Sequence, residues 1–119
     1  MAAPNIVEVV TITGKTDVLS ITTSAANLVV NAAASNSVVK INTIMISNID
    51  GANVADVTVD LVRSSTTYAL AHTISVPADA TLVVVSKDNA IYLEEGDLIQ
   101  CTGSAAGDLQ AVASYEIIS

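Results

Sequence analysis

Period-two alternation of apolar and polar residues dominates this chain. In ADVTVDLV, residues 55–62, Val57, Val59 and Leu61 alternate with Thr58 and Asp60, the pattern of a strand with one face in water. In DLQAVASYEII, residues 108–118, Leu109, Ala111, Ala113, Tyr115 and Ile117 share one face, while Gln110, Ser114 and Glu116 share the other. The same signal predicts strands over 5–12, 17–22, 27–31, 38–47, 67–76, 81–86, 90–93 and 98–102. INTIMIS (41–47) and LVVV (82–85) are apolar on both faces, which predicts central strands or strands covered by a neighbouring subunit.

Between these runs lie TGKT, AAASNS, NIDGAN, RSST, VPADA, SKDN, LEEGD and TGSAAGD, rich in the residues that punctuate turns. About nine to ten short strands at roughly 8- to 12-residue spacing predict an all-β fold, an antiparallel β-sandwich or jelly-roll-like barrel. The one helix-prone stretch, SAANLVVNAAAS, is flanked by β-branched runs and predicts at most a turn of helix. No repeat or linker divides the chain, so residues 10–119 read as one domain. Residues 1–9 read as an N-terminal arm or exchanged strand, because Pro4 cannot donate to a central ladder.

Composition sharpens this picture. Of 119 residues, 51% are hydrophobic but only 3% aromatic, so the core must be built from Val, Ile, Leu and Ala. Four basic against twelve acidic residues leave a net charge of −8, which opposes a phosphate backbone and argues against direct nucleic-acid binding. With 13% charged residues, much of the exterior must be Ser, Thr, Asn and Ala, a surface that suits burial against other subunits as well as water. Cys101 is the single cysteine, so an internal disulfide is not possible. MAAPNIVEVV has neither the basic start nor the apolar run of a signal peptide, and nowhere do about 18 apolar residues run together, so a cytoplasmic site of synthesis and no membrane partner are expected.

Chemistry is sparse. Glu94, Glu95 and Asp97 crowd around Gly96 in LEEGD and are the one weak candidate for a cation site, but a glycine corner between strands IYL and LIQ explains them as well. Asp50-Gly51 in NIDGANVAD is a favoured hairpin dipeptide and lacks the ligand spacing of an EF-hand loop. His72, the one histidine, falls by parity with Tyr68, Leu70, Ile74 and Val76 on one strand face, in the core or at an interface. A zinc set cannot be assembled from it, and a Cys101–His72 nucleophile has no supporting motif, so no catalytic residue and no cofactor are expected. Cys101 reads as a small buried hydrophobe. TGKT ends like a phosphate loop but lacks the earlier glycine and the following helix, and reads as a hairpin turn.

From residue 38 onward, Ser47-Asn48 closing one strand, then ADVTVDL, PADATL, YLEEGD and a final SYEI strand together resemble small β-sandwich virion structural proteins of tailed bacteriophages, of the marine and cyanobacterial type. The resemblance implies a non-enzymatic protein located in the virion and made in the bacterial host cytoplasm. It implies a capsid decoration or cement protein, or else a neck, tail or fibre-base component. Its partners would be the major capsid protein or other virion proteins and further copies of itself, commonly in trimers. On this reading Pro4, Asn5, Ile6 and Val7 of the arm, with Ile44 and Ile46 of the two-sided apolar strand, are the expected interaction residues. Two other classes remain open on the residues: a carbohydrate-binding module, and a hydrolase using Glu94, Glu95, Asp97 or His72.

Overall fold

The computed structural model describes residues 10–119. Nine strands follow one another: β1 (Ile12–Ser20), β2 (Ala26–Val30), β3 (Val38–Asn48), β4 (Ala55–Arg63), β5 (Thr66–Val76), β6 (Thr81–Val85), β7 (Ile91–Leu93), β8 (Leu98–Gly103) and β9 (Leu109–Ile118). Among the described residues the helical content is one short 3-10 turn, Lys87–Asn89. The strands make two antiparallel sheets, β1-β9-β3-β6 with β7 also on β3, and β2-β8-β4-β5.

β6 pairs with Ile44–Ser47 of β3 and β7 with Val39–Ile41, so these two short strands fill one position along the same neighbour. Counting them once, the chain is a single long hairpin bent at Ser64-Ser65. β4 pairs with β5, β3 with β6 and β7, β2 with β8, and β1 with β9. Rolled into two facing sheets, this is the jelly-roll strand order, and the predicted all-β sandwich is the fold observed.

The alternation of β9 and β4 is what closes the core. Leu109, Ala111 and Ala113 of β9 and Val57 and Val59 of β4 are fully buried, and they meet Ile21, Ile41, Ile99 and Leu93 between the sheets. Tyr115 is the one buried ring, and its hydroxyl donates to Asp17 Oδ2 at 2.6 Å. Cys101 is buried and free, as its apolar strand predicts. Removal from water, with Asp60 adding a negative charge nearby, pushes its thiol up to about 12, so it is inert.

Two buried asparagines fasten the ends of the sandwich. Asn31 Nδ2 donates to the Ser37 and Leu93 carbonyls, and its Oδ1 accepts from Ser35. Asn48 Nδ2 donates to the Asn53 and Val76 carbonyls, and its Oδ1 accepts from the Asp50 amide. Each amide satisfies loop backbone that would otherwise be buried without partners.

Several sequence expectations are corrected. TGKT is no turn: β1 runs through it, with Lys15 opposite Tyr115 and Thr16 opposite Ser114. Gly14 and the small threonines are tolerated there because β1 is an edge strand that is exposed along most of its length. Asp50-Gly51 makes no hairpin, since β3 and β4 lie in different sheets; Asp50 Oδ1 instead accepts from the Ala52 and Asn53 amides and shapes a crossover loop. INTIMIS is central as expected, whereas LVVV is an edge strand with Val83 exposed, which leaves cover by a neighbouring subunit as the one reading of its two-sided apolarity. The proposed arm, with Pro4, Asn5, Ile6 and Val7, lies outside the described residues.

Candidate interaction face

The acidic corner LEEGD joins β7 in one sheet to β8 in the other. Gly96 sits at φ +89 in open space, so its dihedral and not crowding requires glycine. Asp97 is almost fully buried. Its carboxylate accepts from Arg63 Nε at 3.0 Å and Nη2 at 2.6 Å, and from the Glu94 amide at 2.8 Å. Glu94 caps the same guanidinium at 2.9 Å in an exposed pair, and the hydrogen bonds that Arg63 donates to Asp97 hold it still more firmly protonated than usual.

Glu95 turns away, its Oε2 accepting from the Asn36 amide while Oε1 is buried without a partner among the described residues. Two of the carboxylates therefore converge on Arg63 while the third points away. All three and Arg63 line a shallow cleft of about 290 Å³, and among the described residues no group of three or more metal-ligating side chains converges. The corner clamps the β4–β5 hairpin to the β7–β8 crossover by a bidentate ion pair.

His72 is not grouped with Tyr68. On β5, Ala69 lies opposite Asp60 and Ala71 opposite Val59, so Leu70 is an extra residue that reverses the parity. His72 is exposed, with its charge felt by Asp60 on the outer face, while Cys101 points into the core. Burial raises the Asp60 carboxyl above its ordinary range, and His72 counteracts that only in part. The two exposed rings, Tyr68 on β5 and Tyr92 on β7, belong to different sheets and form no common stacking platform.

Ile44 and Ile46 are 0% exposed and packed between the sheets, so these two expected interaction residues belong to the protein's own core. The side chain between them faces outward instead. Met45 lies opposite Val112 of β9 and Val83 of β6, and Val112 lies opposite Val18 of β1. Four apolar side chains on four neighbouring strands thus form one row across the outer face of the first sheet. Val18 is 74% exposed, Val83 54% and Met45 37%, with Val112 half-buried between them.

The rows on either side are hydroxyl-rich and uncharged. Thr16, Ser114 and Thr43 lie on one side, with Thr16 Oγ1 and Ser114 Oγ 3.3 Å apart. Ser20, Gln110, Ser47 and Thr81 lie on the other, with Ser47 Oγ and Thr81 Oγ1 sharing a hydrogen bond at 3.1 Å. Beside β1 and β9 the row runs into a cleft of about 310 Å³ lined by Val18, Leu19, Ser20, Gln110, Ala111 and Val112.

The sheet edges contrast with this face. β1 carries Lys15 and Asp17, β2 and β6 are five residues long and β7 three, and β5 carries two extra residues with Thr73 at φ 51. Charges, shortness and bulges are the devices that discourage strand addition. Among the described residues the structure therefore guards its edges and leaves one neutral, partly apolar face unguarded. The sequence showed half of this face, since Met45 and Val83 lie in the two-sided apolar stretches INTIMIS and LVVV, and hid the other half, because Val18 and Val112 are isolated outward positions.

No protein-family model matches this chain, and no curated protein is similar enough to count as a relative. Among the described residues no helix is long and apolar enough to cross a membrane.

Proposed function

We propose that this protein is a non-enzymatic structural component of a tailed-phage virion, a capsid decoration protein that coats the head shell and stabilises it. The observation that carries the reading is the neutral apolar and hydroxyl face of the first sheet, a surface suited to burial in an assembly. The sequence resemblance supplies the virion context. The jelly roll adds support at the level of fold analogy, since viral capsid proteins use it, as do lectins. The residues named as catalytic candidates support no rival: Glu94 and Asp97 serve the Arg63 clamp, Glu95 bonds the Asn36 amide, and His72 and Cys101 lie on opposite sides of their sheet.

In mechanism, each copy would bury on the order of 1,000 Å² against shell and siblings, and the summed contacts of many copies would oppose expansion of the head by packaged DNA. The N-terminal arm offers a second contact by adding a strand to an open edge of another virion protein, since this domain's own edges are guarded. Deletion of residues 1–9 is then expected to weaken attachment or oligomerisation; unchanged mass and unchanged occupancy would remove the arm from the mechanism.

The deciding experiment is co-sedimentation of the purified protein with expanded empty capsids that lack it, and separately with isolated tails. Saturable binding of many copies per capsid is the expected result. Binding confined to tails would make it a neck or tail component, and binding to neither would overturn the virion reading.

A further inference from the structure

The apolar row across β1, β9, β3 and β6 calls for an occupant, and three observations point to the same one. First, the row and its two flanking rows contain no charged side chain, although the chain carries −8 overall. A surface that meets an identical surface must be neutral, because any carboxylate near the centre would be brought close to its own copy. Second, the pattern is symmetric about its middle: hydroxyls, then apolar side chains, then hydroxyls. Turning one copy by a half-rotation lays Met45 and its neighbours on the apolar row of the other and lays hydroxyl on hydroxyl. Third, the edges of both sheets carry devices against strand addition, so copies of this domain are steered to associate face to face.

We propose that the outer face of the first sheet is covered by the same face of a second copy, the two sheets stacking about a two-fold axis at about 10 Å separation. The proposal rests on the reading of this chain as an assembly component and names what covers its exposed face. Its size sets its strength. Four strands about 4.8 Å apart and six or so residues deep project to roughly 400 Å², against about 800 Å² per partner in a standard stable interface. The pair is accordingly weak in dilute solution and fills where copies are held close together.

The test is sedimentation of the full chain from micromolar to millimolar concentration. The expected result is a rise in mass from one copy to two, strengthened by added salt, which screens the repulsion between two −8 chains. Met45→Lys is expected to weaken pairing at least tenfold. Val18→Lys, on the most exposed member of the row, should do the same and covers the case in which the Met45 variant fails to fold. A single copy at every concentration would overturn the proposal, as would a trimer, or a dimer indifferent to both substitutions. A protein that pellets with capsids but never pairs in solution would sink this contact and leave the virion reading standing. One that pairs but binds neither capsids nor tails would do the reverse.

Discussion

Asp97 shows how much one residue can hold. Its carboxylate takes two donors from Arg63 and one from the Glu94 amide while almost fully buried, so its removal strands that backbone N–H and leaves Arg63 only its exposed pair with Glu94. Asp97→Ala is expected to lower unfolding free energy by about 2–4 kcal/mol in urea titrations. Glu94→Gln should cost under about 0.5 kcal/mol, because its pair with Arg63 is largely in water. Two residues fix the alkaline limit. Burial raises Cys101 from 9.0 to about 12 and, together with the hydrogen bond to Asp17, raises Tyr115 from 10.0 to about 12. A folded pKa above the unfolded one gives stability that is complete below the unfolded value and lost as pH climbs towards the folded one. Stability should fall from about pH 9, by up to roughly 1.4 kcal/mol per pH unit for the deeply buried Cys101 and by less for Tyr115, whose hydroxyl reaches the half-buried Asp17 at the sheet edge. Urea midpoints measured between pH 8 and 11 check this, with Cys101→Ala flattening the earlier part of the slope and Tyr115→Phe the later.

Among the elements, the β4–β5 hairpin carries visible strain. Arg63 pairs with Thr66, leaving the two-residue loop Ser64-Ser65 with φ of 52 and 62. Both values belong to a turn that Asn-Gly fills best. Ser64→Asn with Ser65→Gly is expected to raise stability by about 1 kcal/mol, read as a higher melting temperature. At this scale the sequence was readable for strands and unreliable for parity. Alternation in 55–62 and 108–118 located β4 and β9 because each has a largely buried face. Turn residues located most breaks, but TGKT deceived because an exposed edge strand imposes little selection against glycine. His72 was misplaced because the extra residue at Leu70 changes faces without leaving a mark in the pattern. The Arg63–Asp97 clamp joins residues 34 positions apart, and no local signal couples them.

For the whole molecule, the rolled hairpin means that partners are distant in the chain. Val18 pairs with Val112 and Ala26 with Cys101, while local pairing is confined to β4–β5. Such topologies bear the entropy of large loops before contacts compensate, so refolding is expected in milliseconds to seconds. Stopped-flow fluorescence can follow it through the buried Tyr115, since the chain has no tryptophan.

β9 lies between β1 and β3, the ninth strand in sequence and the second in its sheet. The consequence falls on synthesis. At about 5–20 residues per second, β9 leaves the ribosome roughly 3–12 s after β3, and until it does β1 has no partner strand and β3 is held only on its β6–β7 side. A stalled nascent chain ending before Leu109 is expected to stay open to protease along the first sheet and to close once β9 clears the exit tunnel.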